Sequence, residues 1–599
     1  MKKKKSRFSI SDIRPENIFW PGIDSGIHQL SQESIKPVVL PQAVDLNAIV
    51  AASGLEHRHH ITDFYNRSKR FRIFPYGIAF PTLIIAAENI SIHKSIVKIN
   101  DKYLINGPSG LRIINRLSRS TNKKRMERVD NIAKSFADKR INNNICLPDA
   151  SESDRNLDLI LVAKNLFNFY HFTKEALPNL ALYESNNLTG NIIINSQNKT
   201  VAKFVKEGIE KFFPELANRV FLSFGNINVH RALLPIDTRF FYYQGSDESM
   251  PSLGAAAKVS WMWEDRALGE RSLKTLGMNS CETSLFAFRK RVLQRVDETR
   301  SESDFTSKSR RLYVARRPSQ RLRVIKQENE LISTLTELDF EVIYFEDYDV
   351  LTQARLVSQA EVIVTAHGAG LTNMLYTQPG CLVVEISNLQ IALLRFGDFN
   401  PLALVSQAKY LHFFTDHDWP NQDVIPDYGK HSLVGSKLDH MGISILRSAI
   451  LAHLHPTRHD ELMKTAADLN SNGNFEELES FFLLNFDRMM HEADAHVWAA
   501  NCAAFRSNLQ NALDCLGQAS RLAPQRRPLL ERSLNLAHRL EAHQKFDHLA
   551  FGYFRYHYET AVDFFAKHGW DSSSYLKVLD ADIDVTALGD EKSGAVDES

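Results

Sequence analysis

The sequence predicts an α/β protein of two Rossmann-like halves around a cleft, followed by an all-helical repeat region. Three observations predict it. Apolar runs of strand length alternate with amphipathic helices from residue 157 onward, a long helical and polar stretch over 255–310 interrupts the alternation once, and beyond residue 460 only helical periodicity remains.

In chain order, residues 1–150 read as an irregular, β-rich preface, with short strands over 82–86, 95–99 and 103–105 broken by Asn, Gly and Pro turns. Residues 151–300 form the first half with its linker helix: strands over 159–163, 191–195, 220–222 and 231–235 alternate with helices over 172–183 and 203–213. Residues 301–455 repeat the rhythm, with strands over 312–315, 341–345, 361–365 and 382–386 and helices over 328–337, 350–359 and 371–376. Alternation at this spacing demands a parallel sheet covered by helices, and two such units imply a cleft between them. In residues 460–579 the segment Gly473-Asn474-Phe475 aligns with Asn508-Leu509 at about 34 residues, the tetratricopeptide length, so helical pairs stacked into a docking surface are expected. Residues 580–599 are acidic and poor in aromatics, the composition of a disordered tail.

Charge and composition exclude several classes. The chain of 599 residues has 72 basic and 71 acidic side chains, so no overall field draws it to nucleic acid, and any anion must be held locally. Five cysteines without a CxxC pair argue against a disulfide scaffold and a zinc site and suit a reducing, cytoplasmic setting. No apolar span reaches membrane-crossing length, and residues 1–5 are basic with no apolar stretch after them, so neither export nor a transmembrane anchor is expected. Peripheral contact with the inner membrane face through those lysines is the remaining membrane expectation.

The sharpest chemical feature is His367-Gly368-Ala369-Gly370-Leu371-Thr372-Asn373 after the β-branched run 361–365. Glycines let backbone approach a ligand, and unpaired amides at a helix start suit a pyrophosphate. A glycine turn that merely packs helix on sheet is the structural alternative. The next strand carries Glu385, which at a strand's carboxyl end can accept from ribose hydroxyls.

The stretch HGAGLTNMLYTQPGCLVVEI, His367 to Ile386, resembles glycosyltransferase family 61, as do Arg316-Arg317-Pro318-Ser319-Gln320-Arg321 upstream and Asn168, His171, Glu175 and Leu177-Pro178 near the front. The resemblance covers residues 155–415. It departs from the family after the basic turn, where Lys326-Gln327 stands at the spacing of Asn-Glu and Asn329-Glu330 follows three residues on. It implies a GT-B fold, inversion at the anomeric carbon, no cofactor and no obligatory metal. The partners it implies are a nucleotide-sugar donor and a glycan or glycolipid acceptor of bacterial surface polysaccharide, with no nucleic acid.

For the chemistry, Arg316, Arg317, Arg321 and the amides of Gly368, Ala369 and Gly370, with His367, Asn373 and Glu385, are the candidate donor site. His171 and Glu175, four residues apart on one helical face, are the candidate base and its orienting acid; a capping or packing histidine is the alternative. Asp416-His417-Asp418 has the DxD form of metal-dependent transferases but reads as a polar loop, and no GxSxG elbow supports a hydrolase. The rival function is a catalytically degenerate scaffold that recruits polysaccharide-assembly partners through its helical repeats.

Overall fold

The computed structural model describes residues 15–30, 37–40, 44–71, 73–107, 109, 110, 113, 147–239, 273–299, 309–317, 324–420 and 424–575. Among the sequence expectations, the basic start at residues 1–5, the linker over 255–272, most of the polar run up to Arg310, the side chains Arg321 and Arg323, and the tail 580–599 lie outside them.

The alternating apolar runs assemble into two main sheets. The parallel part of the first orders its strands as Ile227–Asp237, Leu159–Ala163, Ile192–Ser196 and Val220–Ser223, so the earliest strand in sequence lies between two later ones. Ile227–Asp237 also pairs antiparallel along Thr82–His93, which builds the early β-rich residues into this sheet. The second sheet runs Phe340–Tyr344, Arg311–Ala315, Val362–Ala366, Leu382–Asn388, Lys409–His417, all parallel. Asp45–Val50 adds in parallel beyond Lys409–His417. Val362–Ala366 and Leu382–Asn388 are almost wholly buried, as β-branched strands covered on both faces must be.

One buried cluster joins the two halves: Leu177, Leu180 and Phe212 of the first meet Val350, Leu371 and Tyr376 of the second. The helix Thr283–Glu298 lies at their junction, with Phe288 edge-on to both Phe212 and Tyr376.

Two local expectations change. The helix expected over 172–183 is two helices, Phe169–Glu175 and Leu177–Ser185, parted at Ala176. Pro178 is the cause, since it lacks an N–H and its ring crowds the carbonyl four residues back. After Gly368 the chain makes the 3-10 helix Ala369–Tyr376 rather than an α-helix.

From Pro456 the chain is helical: Pro456–Ser471 with Phe475–Asn485, Ala493–Phe505 with Leu509–Leu522, Arg527–Arg539 with His543–Tyr556, then Tyr558–His568. This region is bonded to the α/β body. Arg521, buried, donates to the Ala51 carbonyl and to Asp439 at 2.8 Å, and Arg555 donates to Asp63 at 2.6 Å. Among the described residues no helix is long and apolar enough to cross a membrane.

Candidate active site at the carboxyl ends of the strands

In an open parallel sheet, ligands bind outside the carboxyl ends where the strand order reverses. In the second sheet that point lies between Arg311–Ala315, flanked by the second strand on one side and the third on the other, and Val362–Ala366. Arg316 and His367 are the first residues past those two strand ends. Arg316 donates through Nη2 to the His367 carbonyl at 2.8 Å. A Cβ on Gly368 would lie 1.7 Å from that same Nη2, so the turn requires glycine by close approach. The helix then starts at Ala369, and the first amides of a helical turn have no acceptor within it, so those of Ala369 and Gly370 suit an anion.

Beneath the turn lies a buried polar cluster. His367 Nδ1 is 2.7 Å from Glu385 Oε1, while Glu385 Oε2 accepts from the Tyr410 hydroxyl and lies 3.7 Å from His412 Nδ1. Burial alone would raise the Glu385 pKa, but the neighbouring histidines and the hydrogen bonds from His367 and Tyr410 outweigh it and hold it at about 2. Burial lowers the His412 pKa. Glu385 was expected to face ribose. Instead it lies inside Leu382–Asn388, only 3% exposed, with both oxygens engaged by side chains, and so positions His367. Asn373 is likewise interior, and its Nδ2 donates to Gln353 at 3.0 Å.

The basic loop divides. Arg317, exposed, forks onto Asp347 at 2.6 Å and lies over the Tyr344 ring, whereas Arg316 turns inward to the glycine turn. Arg321 lies outside the described residues.

The histidine of the first half follows that sheet's own reversal point, the end of Leu159–Ala163. Asn168 caps the helix by accepting from the His171 amide. His171 Nδ1 is 2.8 Å from Glu175 Oε1, and Glu175 Oε2 accepts from the Lys164 amide at 3.1 Å. Burial of Glu175 is offset by His171 and Lys164, so its pKa falls below the usual value and it stays ionised. Lys164 Nζ is 3.2 Å from His171 Nε2. A carboxylate only accepts and an ammonium only donates, so these partners assign the proton to Nδ1 and the lone pair to Nε2.

The two motifs meet. His367 packs edge-on to Phe399 with ring centres 5.6 Å apart, Phe399 on Tyr170 at 5.3 Å, and Tyr170 on His171 at 5.4 Å. The Tyr170 hydroxyl donates to the Asp398 carbonyl at 3.0 Å, which fixes the contact across the halves. Tyr170, Phe399, Lys164, Tyr410 and His412 were not picked out from the sequence. Tyr410 and His412 had a signal, since alternate residues of a strand share a face and His412 pairs with Glu385 in register.

Asp416 is no polar loop residue. It ends the buried strand Lys409–His417 and accepts from the amides of Ser53 and Gly54 at 2.8 and 3.0 Å and from the Ser53 hydroxyl, joining the early segment to the second sheet.

Fold and site thus define an α/β protein whose candidate site residues gather at the carboxyl ends of parallel strands. The family described as Glycosyltransferase 61 matches residues 169–384. The EGF domain-specific O-linked N-acetylglucosamine transferase of Bos taurus is 29% identical over 208 residues, 31% of this chain. The matched stretch spans 37% of the bovine protein's length.

Proposed function

We propose that the chain moves a sugar from a nucleotide-sugar donor to a hydroxyl of a glycan or glycolipid acceptor, with inversion, in the assembly of a bacterial surface polysaccharide. The observation that carries this reading is the pairing of Arg316 with the His367 carbonyl at the strand reversal, across aromatic rings from His171. In this reading the donor diphosphate lies against Arg316 and the amides from Gly368 to Gly370. Arg317 and Arg321 complete the basic loop, and His367, steadied by Glu385, shapes its floor.

His171 Nε2 takes the acceptor proton, the acceptor oxygen bonds to the anomeric carbon, and the nucleoside diphosphate leaves with the bonding pair. The charge that grows on its bridging oxygen is met by guanidinium and amide donors already in place. Residues 151–300 then act as the acceptor half and 301–455 as the donor half of a GT-B arrangement, with the diphosphate served by Arg316 and amides rather than a metal. Residues 460–579 are tetratricopeptide-like repeats that offer a protein-docking face.

The test is nucleotide release from a panel of UDP, GDP and CMP sugars, starting with UDP-N-acetylglucosamine because the bovine relative is named for transferring that sugar. A glycolipid acceptor and an EGF-domain acceptor form the two arms. Turnover of a donor that is lost in Arg316→Ala and His171→Ala supports the reading. Turnover unchanged in both variants, or a folded chain that binds no nucleotide and is only a scaffold, ends it.

A further inference from the structure

A second cluster of imidazole and carboxylate lies where the helical region begins. His459 is on Pro456–Ser471, and His491 and Glu492 are in the turn before Ala493–Phe505. Nε2 of His459 and Nε2 of His491 each lie 3.3 Å from the same oxygen, Oε1 of Glu492, and one ligand atom from each of the three residues lies within 4.8 Å of the others.

Both separations are at the long end for a histidine–carboxylate hydrogen bond, which this same chain makes at 2.8 Å in His171–Glu175 and 2.7 Å in His367–Glu385. They fit the edge of a tetrahedron: zinc bonds of about 2.0–2.1 Å to nitrogen and oxygen set neighbouring ligand atoms about 3.3–3.4 Å apart. The surrounding groups agree. Ser448, fully buried on His440–Leu454, is 2.8 Å from His491 Nδ1 through its hydroxyl, and a proton donated from Nδ1 leaves Nε2 with the lone pair a metal needs. His459 Nδ1 is buried without a hydrogen-bond partner, and the His459 ring packs on that of His491 with centres 5.0 Å apart. The histidines are largely buried while Glu492 is 37% exposed, which leaves a solvent-facing fourth position.

We propose that His459, His491 and Glu492 bind one divalent transition metal, zinc by ligand chemistry, as a staple between the helix Pro456–Ser471 and the turn before Ala493–Phe505. Two imidazoles and one carboxylate suit zinc, while magnesium and calcium prefer all-oxygen sets. The staple acts on how the helical region is held, not on the sugar-transfer chemistry.

The test uses the full-length protein, stripped by chelator and titrated with Zn2+ against a chromophoric competitor, with cobalt(II) absorption reporting coordination geometry. Variants are His459→Gln, Glu492→Gln and the control His440→Gln, whose side chain is 86% exposed. The expected result is a single equivalent bound, a tetrahedral cobalt spectrum and a higher Tm with zinc. Either ligand variant should lose at least the roughly 10- to 100-fold that outer-shell changes cost metal sites, and the control should lose nothing. If His459→Gln does not fold, the half-exposed Glu492→Gln decides. A folded parent that binds no zinc, or an equivalent that survives in Glu492→Gln at unchanged affinity, overturns the proposal.

Discussion

Arg316 donates from Nη2 to the carbonyl oxygen of His367 at 2.8 Å, over an α-carbon at residue 368 that carries no side chain. This contact closes the ends of two neighbouring parallel strands. The charge is therefore arranged before any ligand arrives, which is the condition for electrostatic stabilisation without reorganisation.

Gly368→Ala should displace the Arg316 guanidinium, the far end of a flexible side chain, and also strain the backbone, which holds residue 368 at φ 156°. Transfer kcat should fall by about 10²-fold, the scale of losing one oriented donor, with a Tm lowered by the backbone strain. Steady-state kinetics beside a thermal melt check both halves of the expectation.

His171→Ala should lower kcat by about 10²- to 10⁴-fold, the usual contribution of a positioned base, and leave nucleotide affinity alone because His171 belongs to the opposite half. Glu175→Gln keeps the hydrogen bond to Nδ1 but removes the charge, so kcat should fall with the donor KM unchanged. A split between kcat and KM in both variants is the readout.

Glu385→Gln leaves three buried partners around a neutral amide and should cost about 3–5 kcal/mol, as breaking one side of a buried charged pair does. The pH sign follows from its depressed pKa, about 2 against the ordinary 4.5. Its stabilisation is complete above about 4.5 and is lost as pH falls toward 2, because the unfolded chain takes up the proton first. Denaturant midpoints across that acid window should slope less in the variant than in the parent.

His59 gives a second pH dependence at a higher window. It lies against Gly552 and bonds to the Tyr556 hydroxyl at 2.9 Å, and burial, then the charges of Arg58 and Arg555, depress its pKa to about 3. Held neutral in the fold, it contributes fully above its ordinary 6.5, and that contribution is lost as pH falls from 6.5 toward 3. Between pH 6.5 and 5 the stability of His59→Gln should fall less steeply than that of the parent.

Much of the second sheet was legible because its strands are continuous β-branched runs and its turn contains glycines that only a close backbone approach requires. His171 and Glu175 were legible because four residues span one helical turn. The rest depends on long-range packing. Nothing local to residues 45–50 says that they pair with Lys409–His417, and the contact of Tyr170 with Phe399 exists only once the halves are packed. Glu385 was misread for a physical reason: a carboxylate in an apolar strand looks like a ligand group until Tyr410 and His412 on the neighbouring strand are seen to engage it.

The most direct measurement is calorimetric titration of the parent, Arg316→Ala and His171→Ala with UDP, GDP and CMP. The account predicts that one nucleotide binds the parent, that Arg316→Ala weakens it by about 10-fold or more, as loss of a charge-assisted contact of about 1.5–3 kcal/mol requires, and that His171→Ala leaves it unchanged. Equal affinity in the parent and in Arg316→Ala would contradict it.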